Sequence, residues 1–319
     1  MSQIDQISRF YSHGKLLLFG EYLVLDGALA LAVPTQKGQL LTVKPASEEK
    51  GLYWKSYDVK GGLWFEGRYS MPEGRYLEGN DDQVGSRLAQ LLQAGRKLAG
   101  KPWMDGSKWG FKVETRLEFP RDWGLGSSST LVAGLARWWQ VDPYVLLAGT
   151  FGGSGYDLAC AEAEGPVFYR RENGKAEVKA AGFHPPFSHQ LFFLFLEQKQ
   201  NSRTGIARYR ERGRATPGLI REISRYSEEA TQVNTLREFQ SLMEKQETLI
   251  GDFLGVLPVQ QSIFPDFSGR IKSLGAWGGD FVLVASDQPL AVLQAYFSTL
   301  GFPTLIPYSE MVLDIKNFD

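Results

Sequence analysis

A glycine- and serine-rich segment near the middle of the chain has the composition of an anion-binding loop. It reads Gly124, Leu125, Gly126, Ser127, Ser128, Ser129 and Thr130. Glycines let a ligand approach the backbone closely, and serine hydroxyls add donors beside the unpaired N–H groups of a helix start, where phosphate commonly binds. The segment has neither the Gly-Lys-Ser/Thr ending of a Walker loop nor the third glycine of a dinucleotide fingerprint. We interpret it as a phosphate-binding loop, with an ordinary serine-capped helix as the alternative.

A single carboxylate, that of Asp157, lies in a second glycine-rich turn. It follows Gly152, Gly153, Ser154 and Gly155 and precedes an apolar segment. An acid among such small residues can approach a ligand closely enough to act as a base or to contact a metal ion. The alternative is that Asp157 only caps the helix that follows.

Two charged residues mark the ends of a short apolar run near the N-terminus. Lys15 follows Gly14, and Glu21 follows Gly20. Each is of interest because a charge beside a glycine can lie close to a ligand. Taken alone, the pair is typical of surface charges at strand ends.

The composition is that of a globular protein in a reducing compartment. Of the 319 residues, 43% are hydrophobic and 22% are charged, which excludes a disordered or fibrous chain. The formal net charge of −1 gives no general reason to bind nucleic acid or an anionic membrane. Cys160 is the only cysteine, so no internal disulfide can form. We expect a cytoplasmic monomer or homodimer that binds a small molecule, with no nucleic-acid or membrane partner.

The elements that must position these residues alternate between strands and helices. Apolar runs predict strands at residues 15–19, 22–25, 40–43, 52–54, 63–65 and 110–115. Helical spacing predicts a helix at residues 84–98, and a second helix begins at the phosphate-binding loop and extends to Trp139.

Two prolines and two histidines interrupt the pattern around residues 182–189. We therefore predict an N-terminal domain at residues 1–183 and a C-terminal domain at residues 184–319. The second domain combines a largely helical region with a glycine-rich loop that leads into a strand at residues 281–285. This pattern indicates an α+β arrangement.

Three glycine-rich segments, taken in order, resemble the three motifs of the GHMP small-molecule kinases, the family of galactokinase, homoserine kinase, mevalonate kinase and phosphomevalonate kinase. They are residues 14–22, 124–129 and 274–279. Within that family, the segments around Asp157 and Tyr22 are most similar to phosphomevalonate kinase and mevalonate kinase. The resemblance implies an α+β, two-domain GHMP kinase fold, with an N-terminal ribosomal-protein-S5-like α/β domain and a C-terminal ferredoxin-like α+β domain.

The resemblance also implies roles for individual residues. Asp157 would orient or deprotonate the acceptor oxygen, and Lys15 would lower the charge around the transferred phosphoryl group. Ser128 would help to hold Mg²⁺. The residues that would bind ATP are Gly124, Leu125, Gly126, Ser127, Ser128 and Ser129. The residues that would bind substrate are Glu21, Tyr22, Ser154, Gly155, Gly275, Ala276, Gly278 and Gly279.

The chain also departs from the family pattern. Trp277 replaces a small residue, Asp280 is acidic where many members are neutral, and residues 144–151 lack the magnesium-binding glutamate of the mevalonate kinases. We expect an ATP- and Mg²⁺-dependent kinase whose acceptor is phosphomevalonate or mevalonate. The alternatives are a GHMP kinase for a sugar or homoserine and a non-catalytic nucleotide-binding descendant.

Overall fold

The computed structural model describes residues 7–46, 50–100, 110–198, 202–277 and 279–314. Their contacts divide the chain into two units that are interleaved in sequence. The first unit comprises the described residues within Met1–Gly14, Lys37–Arg121 and Gly126–Glu162. The second comprises those within Lys15–Gln36, Asp122–Leu125 and Ala163–Asp319. The domain boundary between residues 183 and 184 stays a prediction.

The first unit combines a mixed sheet with four helices. Its elements are β1 (Ser8–Phe19), β2 (Ala30–Ala46), β3 (Leu52–Tyr57), β4 (Leu63–Tyr69), β5 (Tyr76–Gly79), α1 (Asp82–Ala99), β6 (Gly110–Leu117), α2 (Ser127–Trp139), α3 (Pro143–Ala148) and α4 (Tyr156–Ala161). The strand order is β5-β4-β3-β6-β2, and β1 also pairs with β2. The β3–β6 pair is parallel, whereas β4–β5, β3–β4 and β2–β6 are antiparallel. The end of β1 and the start of β2 belong to the second unit.

The core of the first unit combines residues from the strands and the helices. The neighbouring strands β2, β3 and β6 contribute the buried residues Val43, Trp54 and Val113. Helix α1 contributes Leu88 and Leu92 at helical spacing. The helix begins at residue 82 because the Asp81 carboxylate accepts the first-turn N–H groups. It ends at a glycine in the left-handed conformation. The helix predicted at residues 84–98 is therefore confirmed, and it begins two residues earlier and ends one residue later than predicted.

The second unit contains an antiparallel sheet and a helical region. Its further elements are β7 (Val167–Glu172), β8 (Lys175–Ala180), β9 (Leu191–Phe195), α5 (Ser202–Glu211), α6 (Pro217–Glu229), α7 (Leu236–Leu254), α8 (Val259–Ile263), β10 (Arg270–Ser273), β11 (Phe281–Ala285), α9 (Leu290–Thr299), β12 (Leu305–Pro307) and α10 (Tyr308–Met311). The order in the antiparallel sheet is β10-β11-β9-β12. The first residues of β2 pair with β7, which forms a hairpin with β8.

Burial and capping explain the main elements of the second unit. Strands β9 and β11 are buried along their whole length, which is typical of central strands. Helix α7 begins with a capping box, in which Thr235 and Glu238 each accept a backbone N–H of the other. It ends at Gly255, whose φ of 65° is readily adopted only by glycine.

The strand predicted at residues 22–25 is wrong, because the chain turns there. A 3-10 helix, Leu23–Asp26, occupies the segment, and a second one spans Ser188–Gln190. Gly20 and Tyr22 have φ values of 96° and 59°, which an extended strand does not allow. The N–H of Val24 donates to the carbonyl of Gly20 at 3.0 Å. The apolar residues of this segment are buried by a turn instead of a sheet.

Candidate active site

The predicted phosphate-binding loop ends in a helix that no side chain caps. Helix α2 begins at Ser127, its N-cap is Gly126 with a φ of 87°, and no side chain accepts a first-turn N–H. The serines therefore occupy the first turn, so the alternative of a serine-capped helix is not what forms. Ser128 is exposed. Backbone N–H groups and serine hydroxyls at a helix start are the donors that bind a phosphate group.

Lys15 is fixed to the two residues at the start of this loop. Its backbone N–H donates to the carbonyl of Leu125 at 3.1 Å, and its Nζ donates to the carbonyl of Gly124 at 3.0 Å. The side chain is partly buried. Because both ends of Lys15 contact the loop, the ammonium group keeps a defined position beside it. The interpretation of Lys15 as a mere surface charge at a strand end does not fit this geometry.

Asp157 lies in the first turn of helix α4. The N-cap of this helix is Gly155, with a φ of 94° and no side-chain cap, so Asp157 does not have the capping role considered as the alternative. Ser154 and Tyr156 on either side of the glycine are buried, whereas Asp157 is half-buried. A carboxylate in the first turn is stabilised by the positive end of the helix dipole. Helices α4 and α2 pack against each other, which places Asp157 on an element next to the serine-rich helix.

Glu21 belongs to a buried cluster of polar residues. Glu21, Lys272 and Gln246 are each 0% exposed, and the Glu21 carboxylate accepts hydrogen bonds from Lys272 Nζ and Gln246 Nε2. Lys272 also donates to the carbonyl of Ser273 at 2.9 Å. The substrate-binding role of Glu21 stays a prediction. Its burial and its protein partners favour a positioning role.

A second glutamate, Glu247 of α7, lies in the same region and is 3% exposed. It accepts the backbone N–H of Ser273 at 3.0 Å. Burial raises the pKa of Glu247 to about 7, while the nearby Lys272 opposes this shift and Glu21 adds to it. Burial likewise raises the pKa of Glu21 to about 7, against the effect of Lys272. Two carboxyls share one buried cation, so full ionisation would leave one negative charge uncompensated.

Tyr22 makes a hydrogen bond to the third glycine-rich loop, residues 274–279. It has a φ of 59°, and its hydroxyl accepts the backbone N–H of Trp277 at 2.9 Å. Its ring stacks on that of Tyr209, with centroids 5.5 Å apart. The indole N–H of Trp277 is buried without a hydrogen-bond partner within the described ranges. Tyr22 therefore orders a loop that carries an unsatisfied donor.

Three further predicted residues of the third loop lie within the described ranges. Gly275 has a φ of 62°, Ala276 is half-buried and Gly279 is buried. Gly278 lies outside the described residues. The substrate-binding roles of these residues stay predictions.

Sequence reasoning missed the buried partners of Glu21. Helix α7 is rich in charged residues, a composition typical of a solvated helix face, yet Gln246 and Glu247 are buried. Lys272 offers one signal, since it follows the apolar Ile271 just before a glycine-rich loop. Nothing local in the sequence shows that these residues contact Glu21.

No helix within the described ranges combines the length and apolar character needed to cross a membrane.

No family model matches the chain, and no curated protein matches it. Solved structures do. Mevalonate kinase of Methanococcus jannaschii aligns with a TM-score of 0.68 at 16% identity, over 94% of this chain and 97% of that one.

Two further solved structures of other specificity are similar. Streptococcus pneumoniae phosphomevalonate kinase, in complex with phosphomevalonate and AMPPNP, gives a TM-score of 0.64 at 16% identity, over 92% of this chain and 97% of that one. Lactococcus lactis galactokinase complexed with galactose gives 0.66 at 14% identity, over 98% and 94%. The chain has the two-domain fold of the GHMP kinase family, and the predicted α+β fold class is confirmed.

Proposed function

We propose that the protein is an ATP-dependent small-molecule kinase of the GHMP type, which transfers the γ-phosphoryl group of ATP to phosphomevalonate or mevalonate. The observation that carries the proposal is the double anchoring of Lys15 to Gly124 and Leu125. It fixes a cation beside an anion-binding loop, in a fold shared with known small-molecule kinases. Phosphoryl transfer depends mainly on such positioning and charge neutralisation.

The loop residues bind the nucleotide phosphates in this proposal. The uncapped N–H groups of the first turn of α2 and the hydroxyls of Ser127, Ser128 and Ser129 donate hydrogen bonds to phosphate oxygens. Lys15 stabilises the negative charge that is spread over the transferred phosphoryl group. Donors that are fixed before the substrate binds need no reorganisation during the reaction.

Asp157 binds and orients the acceptor. Its carboxylate accepts a hydrogen bond from the acceptor hydroxyl and takes up the proton as the oxygen attacks. Its place in the first turn of α4 puts it on the helix that packs against α2. Ser154 and Gly155, which precede Asp157 in the chain, are proposed to contact the acceptor. The substrate-binding role of Tyr22 stays a prediction.

Mg²⁺, when it accompanies ATP, neutralises charge on the phosphate oxygens. The residues present fit a Mg²⁺ ion that takes most of its ligands from phosphate and water, with the exposed Ser128 hydroxyl as one protein ligand. Within the described ranges no group of three or more His, Cys, Asp or Glu residues could hold a metal ion. This sparse set is usual for Mg²⁺ sites that form around a nucleotide.

A non-catalytic nucleotide-binding protein is the second candidate. It is favoured by helix α3, which contains no acid, and by the bulky Trp277 in the third loop. A kinase for a sugar or homoserine is an alternative that keeps the same loop chemistry. Cytoplasmic location and a monomeric or homodimeric state stay predictions.

A coupled assay of ADP production with Mg²⁺ tests these possibilities, with mevalonate, phosphomevalonate, galactose and homoserine offered separately. We expect turnover with one of the first two. Asp157→Asn should lower kcat by about 10²- to 10⁴-fold, and Lys15→Met by about 10²- to 10³-fold.

The matched controls are Asp287→Asn and Lys175→Met, which make the same changes at exposed positions. Both should keep wild-type kcat. Nucleotide binding without turnover of any acceptor would support the non-catalytic candidate. Turnover of galactose or homoserine alone would contradict a mevalonate-type acceptor and support a sugar or homoserine kinase.

A further inference from the structure

The backbone around Asp280 fixes where its side chain points. Its N–H donates to the carbonyl of Gln198 at 2.7 Å, and its carbonyl accepts the N–H of Leu196 at 2.8 Å. Its φ is 53°, a left-handed conformation that aspartate adopts more readily than most residues. Strand β11 follows directly. The direction of this carboxylate is therefore set by the end of β9 and the start of β11.

The Asp280 carboxylate lies against the backbone of Gly124. A Cβ atom at Gly124 would overlap the carboxyl carbon and an oxygen of Asp280, and Gly124 itself has a φ of 63°. The carbonyl of the same glycine accepts the Lys15 ammonium group at 3.0 Å. Two opposite charges therefore contact one glycine of the predicted phosphate-binding loop.

A carboxylate in this place opposes the binding of a metal-free nucleotide. The phosphates carry several negative charges, and like charges at such short range repel strongly in a partly buried site. A divalent cation reverses the effect, because Mg²⁺ accepts carboxylate and phosphate oxygens as ligands together. Helix α3 contains no acid that could bind the metal. The Asp280 carboxylate, by contrast, already lies against the loop at Gly124.

We propose that Asp280 is a metal ligand for the Mg²⁺ that accompanies the nucleotide, and that it makes nucleotide binding depend on that metal. The inference rests on the proposed function, since it assumes that the loop binds a nucleotide. Gly124 is glycine for two reasons, its positive φ and the space that the carboxylate needs. Lys15 supplies one positive charge at the same glycine, and the metal supplies further positive charge when the phosphates bind.

The test measures binding alone. Calorimetric titrations of AMPPNP, with EDTA and with MgCl₂, compare the wild type, Asp280→Asn and the exposed control Asp287→Asn. We expect Mg²⁺ to raise wild-type and control affinity at least tenfold, equal to about 1.4 kcal/mol. In Asp280→Asn, we expect metal-free affinity to rise severalfold and the gain from Mg²⁺ to fall below threefold.

A second variant and a second readout keep the test decisive. Asp280→Gly also accepts the positive φ, so it removes the carboxylate if the asparagine variant fails to fold. Electron paramagnetic resonance of Mn²⁺ with AMPPNP should show weaker metal binding in both variants. A wild-type gain from Mg²⁺ that persists in the variants overturns the metal role of Asp280. Absence of nucleotide binding by the wild type overturns the proposed function and this inference with it.

Discussion

The buried cluster of Glu21, Glu247 and Lys272 predicts how stability depends on pH. Both carboxyls have a pKa raised from 4.5 to about 7, mainly by burial. A raised folded-state pKa means that the folded state binds protons more tightly than the unfolded state. The stabilisation by the bound proton is therefore fully present below about pH 4.5 and is lost as the pH rises to 7 and above.

The size of this effect follows from the charge count. One cation and two carboxyls are neutral when one carboxyl is protonated, so one proton is the unit to consider. A shift of this extent corresponds to about 3 kcal/mol over the whole window, and about 2 to 3 kcal/mol between pH 5 and pH 8. Wild-type stability should fall by that amount over this range, apart from contributions of other groups.

Glu247→Gln should remove most of this pH dependence. The amide keeps an oxygen that accepts the N–H of Ser273, while Glu21 and Lys272 become a balanced pair. At pH 8 the variant should be at least as stable as the wild type, and its loss between pH 5 and pH 8 should be smaller by about 2 kcal/mol. Urea unfolding followed by tryptophan fluorescence measures both quantities.

Glu244→Gln is the matched control, one turn earlier on α7. Glu244 is exposed and its only described ion pair is with the half-buried Arg270, so this variant should keep the wild-type pH dependence. If Glu247→Gln loses as much stability with rising pH as the wild type does, the shared-proton account is refuted. The same holds if the wild type is equally stable at pH 5 and pH 8 while the control behaves normally.

Two further substitutions test packing and loop order. Gly95→Ala places a Cβ in the ring of Trp139 and should lower the free energy of unfolding by about 1 to 3 kcal/mol. Gly149→Ala is the control, because its Cβ would lie 3.5 Å from its nearest neighbour. It should change the free energy of unfolding by less than about 0.5 kcal/mol. Equal stability of the two variants would contradict the close packing of α1 on Trp139. Tyr22→Phe removes the acceptor of the backbone N–H of Trp277. It should lower the free energy of unfolding by about 1 to 3 kcal/mol, measured by urea unfolding, and weaken nucleotide affinity severalfold, measured by calorimetry. Unchanged values for both would show that the hydrogen bond does not order the loop.

The elements of the fold could be predicted wherever a local pattern fixes them. The helix of α1 follows from apolar residues at helical spacing after an aspartate cap, and α2 begins where glycine gives way to serine. The segment after Glu21 could not, because apolar residues there are buried by a turn at Tyr22. The positive φ of Tyr22 cannot be predicted from the sequence, because residues other than glycine rarely adopt that conformation.

The candidate site divides in the same way. Lys15, Asp157 and the loop at residues 124–129 can be recognised in the sequence because glycine lies within two residues of each side chain or forms part of the loop. The partners of Glu21 could not be found, since Gln246 and Lys272 are 225 and 251 residues away in sequence. Contacts at such separation follow from topology, which local spacing does not encode.

The pairing of Glu21 with Lys272 also bears on how the chain folds during synthesis. A ribosome releases Glu21 long before Lys272, so the carboxylate must remain in water until most of the chain has emerged. Burying it earlier would place an unpaired charge in an apolar environment. The segment from Lys15 to Gln36, which belongs with the C-terminal residues, can therefore reach its final packing only late in translation. A nascent chain stalled before residue 272 would expose the apolar end of β1 to chaperones.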